Sequence, residues 1–194
     1  MFIELTDHLR CPADHDESYL VLLPDRMDAR SVREGRLGCP VCGRTYSLVN
    51  GILDLGGEIP GSPHSTLLEP EALTALVGLS GPGGYLVLVG RPGDRWPEVS
   101  ELNPGVGLVA VNPGPEIEEA PGISIIRSAM LPLKARSMRG VVLGSPYGDD
   151  PGWIADAARV VLPGLRVAGE GAVPATGIDL MASAGGVWVG TPRR

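Results

Sequence analysis

Cys39 and Cys42 stand in the run Gly38-Cys-Pro-Val-Cys-Gly43, a spacing that brings two thiolates to one point. Proline after the first cysteine and glycine after the second favour a tight turn whose backbone N–H groups face the sulfurs. Such a knuckle supplies two of the four ligands of a tetrahedral zinc ion. Upstream, Cys11-Pro12 opens a similar turn, but the position where a second cysteine would fall is Asp14, with His15 directly after it. Cys11, His15, Cys39 and Cys42 therefore form a Cys3His ligand set as the first choice, and Asp14 in place of His15 is the alternative. Four protein ligands leave no position open to water, so the zinc expected here is structural, a staple for a module too small to hold itself together. The competing reading is three buried cysteines with Asp14 and His15 solvated, and the second Cys-Pro turn weighs against it. An odd number of cysteines confined to the first quarter of the chain also fits a reduced metal site better than a disulfide framework.

The elements that must position these residues follow from the rest of the chain. At 194 residues and 43% hydrophobic, the sequence can build a small module joined to a modest domain. We divide it into a module at residues 1–57, a linker at 58–64 rich in Gly, Pro and Ser, and a second domain at 65–194. A net charge of -7 works against a phosphate-tracking surface, so direct nucleic-acid binding is not expected. The start MFIELTDHLR lacks a basic n-region and an apolar h-region, and no stretch is long and apolar enough to span a membrane. The expectation is a soluble cytoplasmic protein. The 28 glycines and 19 prolines punctuate short apolar runs, as turns between buried strands do.

In the second domain, Glu69–Val77 reads as a helix with Pro70 in its first turn, Leu73, Leu76 and Val77 on one face, and Gly78 to end it. Continuous apolar runs at Tyr85–Val89, Gly107–Val111, Ile123–Ile126, Gly140–Leu143 and Leu165–Ala168 read as buried parallel strands. A helix at Trp153–Val161 places Trp153, Ala157 and Val161 on one stripe, and Ile178–Ala182 with Gly186–Val189 reads as a terminal hairpin. The order predicts an α/β fold, a doubly wound Rossmann-like sheet with a small N-terminal β module. Trp96, Trp153 and Trp188 are expected as core or interface anchors.

Two resemblances attach to these residues. Leu9-Arg-Cys-Pro12, Gly38-Cys-Pro-Val-Cys-Gly43 and Tyr46-Ser-Leu-Val-Asn-Gly-Ile-Leu-Asp-Leu55 resemble the Trm112-like zinc-ribbon family, with Leu53 where that family carries proline. The resemblance implies a zinc ribbon and a partner or helper of methyltransferases. Residues 65 to 191 resemble class I S-adenosylmethionine-dependent methyltransferases, chiefly through the strand order, the stretch Ser128–Val142 and the run Ile154-Ala-Asp-Ala-Ala-Arg-Val-Val-Leu-Pro-Gly164. This second resemblance implies a cofactor site at the glycine turn Gly90 and Gly93, with ribose and adenine contacts at Asn112 and Ser128. All three acidic anchors of that family are replaced here, by Val89, Asn112 and Ser128. Each charge-assisted hydrogen bond is worth roughly 1.5–3 kcal/mol, so their joint loss disfavours S-adenosylmethionine. Should activity survive, Tyr147 and Asp149 after the fourth strand are the catalytic candidates implied; the bland alternative is a surface turn. His8 and His64 are expected to be solvated. Three readings stay open at this point: a non-catalytic assembly, stabilising or regulatory subunit; an active methyltransferase with an atypical cofactor site; and a homodimer formed through exposed strand edges.

Overall fold

A computed structural model describes residues 1–61 and 65–193. Ser62, Pro63 and His64, the end of the expected linker, lie outside the described residues. The chain opens with a short 3-10 turn, Ile3–His8, and a four-stranded antiparallel meander: β1 (Val21–Asp28), β2 (Ser31–Gly38), β3 (Thr45–Val49) and β4 (Ile52–Asp54). Helix α1 (Pro70–Val77) follows, with Pro70 in its first turn and Gly78 in the left-handed conformation that ends it.

The remaining elements are β5 (Tyr85–Val89), α2 (Trp96–Leu102), β6 (Gly107–Val111), β7 (Ile123–Arg127), β8 (Met138–Leu143), α3 (Pro151–Val160), β9 (Val161–Glu170), β10 (Ile178–Ala184) and β11 (Val187–Pro192). All strands join one sheet in the order β1-β2-β3-β4-β7-β6-β5-β8-β9-β11-β10. The parallel part, β7-β6-β5-β8-β9, is the 3-2-1-4-5 order of a doubly wound sheet, so the α/β Rossmann-like fold is present. The terminal hairpin folds back on itself: its second strand, β11, pairs antiparallel with β9, and β10 becomes the outer strand.

Alternate residues of the parallel strands face two apolar layers. Leu86, Leu88, Leu108, Ala110, Ile125 and Val142 meet α1 and α2 through Leu73, Val77 and Val99. On the other face Val87, Val89, Val109, Val111, Val141, Leu143 and Val167 meet α3 through Trp153, Ile154, Ala157 and Val160. Helix α3 begins two residues earlier than the sequence suggests, because Asp150 caps it by accepting from the N–H groups of Gly152 and Trp153, and Pro151 fits its first position. Val161, read from periodicity as part of the helix stripe, instead opens β9. Helix α2 was not legible as a helix, since its seven residues follow Arg91-Pro-Gly-Asp-Arg95 and read as loop.

The N-terminal segment completes the second layer. Met1, Leu5 and Leu9 are fully buried in the same cluster as Val87, Val109 and Leu133, where the β6–β7 and β7–β8 connections contribute no helix. Leu9 bridges to Leu133, and the Phe2 N–H donates to the fully buried Ser124 hydroxyl. Strand β4 pairs parallel with β7, Leu53 opposite Ile126, so the meander extends the parallel sheet. Arg33 of β2 forms an ion pair with Glu119 of the β6–β7 connection, and Arg10 reaches Asp156 on α3.

Candidate functional site

The first cluster gathers at one end of the meander. Cys11 lies just before β1, held by its N–H donating to the Ser18 carbonyl, and its partner knuckle joins β2 to β3. In that knuckle Gly43, at φ 72°, donates to the Cys39 carbonyl while the Cys39 N–H donates to the Arg44 carbonyl. The positive φ explains why a glycine follows the second cysteine. The ligand atoms of Cys11, His15, Cys39 and Cys42 all lie within 4.8 Å of one another; Asp14 is not in this group. Cys11 Sγ is 3.8 Å from Cys42 Sγ, and Cys39 Sγ is 3.3 Å from His15 Nε2. A tetrahedral zinc with its usual bond lengths sets two sulfurs about 3.8 Å apart and a sulfur and a nitrogen about 3.5 Å apart. The cluster can hold a metal ion, and these two spacings lie near that geometry.

The surroundings tune the ligands. His15 Nδ1 lies 2.6 Å from the Asp16 carbonyl oxygen; with the proton on Nδ1 donated there, Nε2 is left to face the sulfurs. That backbone contact is the main reason the imidazole is pushed above its ordinary pKa. Burial acts to raise the Cys39 thiol, but the N–H groups of Cys42 and Val41 and the thiols of Cys42 and Cys11 outweigh it and bring Cys39 down to about 6. Burial raises the Cys11 thiol, with the Tyr46 hydroxyl, 3.3 Å away, opposing it. Tyr46 was absent from the sequence-derived site. Its signal was position: on β3 it pairs with Leu37, two residues before Cys39, and its side chain turns to the buried face.

The second candidate lies at the carboxyl ends of the parallel strands, where open α/β sheets bind ligands. Gly90, at φ 71° and ψ -143°, leads from β5 into the 3-10 turn Arg91–Arg95, which folds back over the sheet. A Cβ on Gly93 would come within 3.2 Å of both Ala110 Cβ and Pro113 Cβ, and a Cβ on Gly144 would strike Pro92. Gly93 thus packs the chain against itself. Asn112 is buried at φ 53°, its amide donating to the Ser128 carbonyl and accepting from the Ser128 N–H. The Ser128 hydroxyl is fully buried and accepts from the Met130 N–H. Ile59 and Pro60 cross above, and the space between them, Arg91, Asn112, Arg127 and Tyr147 is a cavity of about 250 Å³. Ligand pockets run from about 300 to 1,000 Å³, which leaves this one small.

Tyr147 and Asp149 fall in a 3-10 turn after β8. Tyr147 is fully buried, stacked edge-on against Trp153 at 4.6 Å, with its hydroxyl 3.4 Å from the Pro60 carbonyl. Asp149 accepts from the Ala172 N–H beyond β9. Sequence reading also missed Glu170, the last residue of β9. It is 2% exposed and accepts from the Thr66 hydroxyl and the N–H groups of Leu67, Leu68 and Ser145, tying the approach to α1 to the loop after β8. An acid closing the apolar run Leu165–Gly169 was its only signal.

No family model matches the sequence, and no curated protein sequence matches it. Solved structures give distant likenesses. A protein described as a methyltransferase of an antibiotic biosynthesis pathway in Anabaena variabilis is 13% identical with a TM-score of 0.41, over 52% of this chain and 43% of that one. A chain of the complex between the Haloferax volcanii Trm112 methyltransferase activator and a protein described as a methyltransferase is 18% identical with a TM-score of 0.40, over 52% and 50%. The antibiotic-resistance methyltransferase Kmr is 13% identical with a TM-score of 0.43, over 63% and 92%. The match thus spans about half or less of the first two chains. No helix among the described residues is long and apolar enough to cross a membrane.

Proposed function

We propose that this chain is a methyltransferase-like protein with a structural zinc, acting without catalysis as an assembly, stabilising or regulatory subunit for a partner protein. Cys11, His15, Cys39 and Cys42 would hold the zinc, which supplies a tetrahedral cross-link between the turn before β1 and the β2–β3 knuckle. The residues 1–57 form the ribbon module on this reading and 65–194 the methyltransferase-like domain.

One observation carries the non-catalytic part. The amide of Asn112, which stands where the resembled family has a ribose-binding acid, has both its oxygen and its nitrogen engaged by the Ser128 backbone. The turn Arg91–Arg95 packs into the crevice beside it and Ile59-Pro60 lies across the top. The cavity left there, about 250 Å³, is small for a cofactor of nucleoside size, and the polar side chains that line it, among them Arg91, Asn112 and Arg127, carry no negative charge.

Titration calorimetry of the purified, zinc-loaded protein with S-adenosylmethionine tests this reading. No heat of binding is expected; micromolar affinity would overturn it in favour of the rival reading, an active methyltransferase with an atypical cofactor site, which turnover of labelled cofactor on cell extracts would then have to show. Capture from the native host then addresses the partner. A methyltransferase retained stoichiometrically supports the helper role, whereas exclusive retention of RNA would remove it.

A further inference from the structure

We propose that β10 is a self-association surface, and that two copies of this chain pair antiparallel through it about a two-fold axis to form a closed dimer. The strand is the last of the sheet on its side, and every residue from Asp179 to Ala184 is exposed, so among the described residues no helix or loop covers either face. Leu180 is 46% and Met181 53% exposed. Its single charge, Asp179, is already paired with Arg193 at 2.9 Å, and it contains no proline or lysine. A strand of this kind offers an open row of N–H and C=O groups beside apolar side chains, which is a template for pairing with another chain.

The opposite edge is built differently. Strand β1 also exposes Val21, Leu23 and Met27, but it places Pro24, Asp25, Arg26 and Asp28 among them. Its pairing with β2 is interrupted twice between Pro24 and Met27, whereas β10 has one irregularity, between Leu180 and Ala182, no proline, and a single charge, Asp179, at one end. Proline, mixed charge and irregular register are devices that stop an edge from pairing.

This asymmetry selects the occupant. Addition of β10 to β1 of another copy would be head-to-tail and would grow into a filament, and the guarded β1 blocks it. Pairing of β10 with β10 is isologous and closes at two copies. An axis through Met181 sets Asp179 opposite Ser183 and Leu180 opposite Ala182, so no like charges meet across it. One seven-residue strand pair is a small interface, and the association expected is reversible, with a dissociation constant on the order of 1–10 µM. The pairing holds whatever the carboxyl-edge crevice binds.

Sedimentation velocity on the full zinc-loaded chain over a wide concentration range tests the proposal. A monomer–dimer equilibrium is expected, with Leu180→Lys and Met181→Lys each raising the dissociation constant at least about tenfold. Leu23→Lys on β1 is expected to leave it unchanged. Both β10 side chains are about half exposed, so the variants should keep the parent thermal transition, which circular dichroism checks. A wild-type chain that sediments as monomer throughout, a species that grows beyond two copies, or a dimer insensitive to both β10 substitutions would each overturn the proposal.

Discussion

Cys39 is the thiol of the Cys/His cluster whose environment is most strongly prepared for a metal, since two backbone N–H groups and two neighbouring thiols bring its pKa down to about 6 against the effect of burial. A thiolate stabilised in this way binds a divalent ion readily at neutral pH. We expect about one zinc per chain by elemental analysis. Cys39→Ser should abolish it and, by removing several kcal/mol of metal-linked stability, lower the melting temperature by on the order of 10 °C. Tyr46→Phe removes only the hydroxyl beside Cys11 and should cost about 1 kcal/mol with the metal retained, measured by the same two assays. His8 makes a separate prediction. Burial lowers its pKa, with Asp7 opposing and Lys134 adding a smaller push downward; among the described residues its Nδ1 has no hydrogen-bond partner, and its ring meets Tyr85 edge-on. A basic group with a depressed folded pKa leaves the unfolded state binding more protons. Stability should therefore be unaffected by His8 above its ordinary value of about 6.5 and decline as the pH falls below it. Chemical denaturation from pH 8 to pH 5 should show this acid-side decline, reduced in His8→Asn.

Asn112 shows how one residue can close an element's end to other uses. It sits at the end of β6 in a left-handed conformation that asparagine tolerates, and its amide clamps the end of β7 through Ser128. Restoring the acid of the resembled family tests which term dominates. Asn112→Asp loses the donor to the Ser128 carbonyl and sets a carboxylate against it, for an expected loss of about 2–3 kcal/mol in chemical denaturation. Because the cavity beside it, roofed by Ile59 and Pro60, is only about 250 Å³, the variant should gain no detectable affinity for S-adenosylmethionine by calorimetry.

The whole molecule behaves as one packed body in its contacts. The cluster that contains Met1, Leu5, Leu37 and Leu48 also contains Val87, Val141 and Trp188, and one sheet runs from β1 to β10. Arg33–Glu119 and Arg10–Asp156–Arg159 cross the same boundary. Calorimetric melting of the full chain is therefore expected to give a single transition, shifted downward as a unit by a metal chelator. A fragment starting at residue 65 would expose the β7 edge and the apolar face that Leu5 and Leu9 cover, and it is expected to precipitate or melt well below the full chain. Two transitions, with only the lower responding to chelator, would argue for two independent units.

The cysteine knuckle, the boundaries of β5 and β6 and the helix at Pro70–Val77 were legible in the sequence, because each depends on local chemistry: ligand spacing, unbroken apolar runs, and a proline and glycine at helix ends. Other features depend on distant partners. Glu170 matters through Thr66 and Ser145, α2 is held by a core its own seven residues do not advertise, and the N-terminal turn finds its place only because two connections lack helices. Strand β4 is three residues long and becomes part of a larger sheet by pairing with β7, more than seventy positions away. Residue types fixed what each segment can do locally; which apolar faces and backbone edges meet, and so what fills the crevice and which edge stays open, was decided by burial across the assembled sheet.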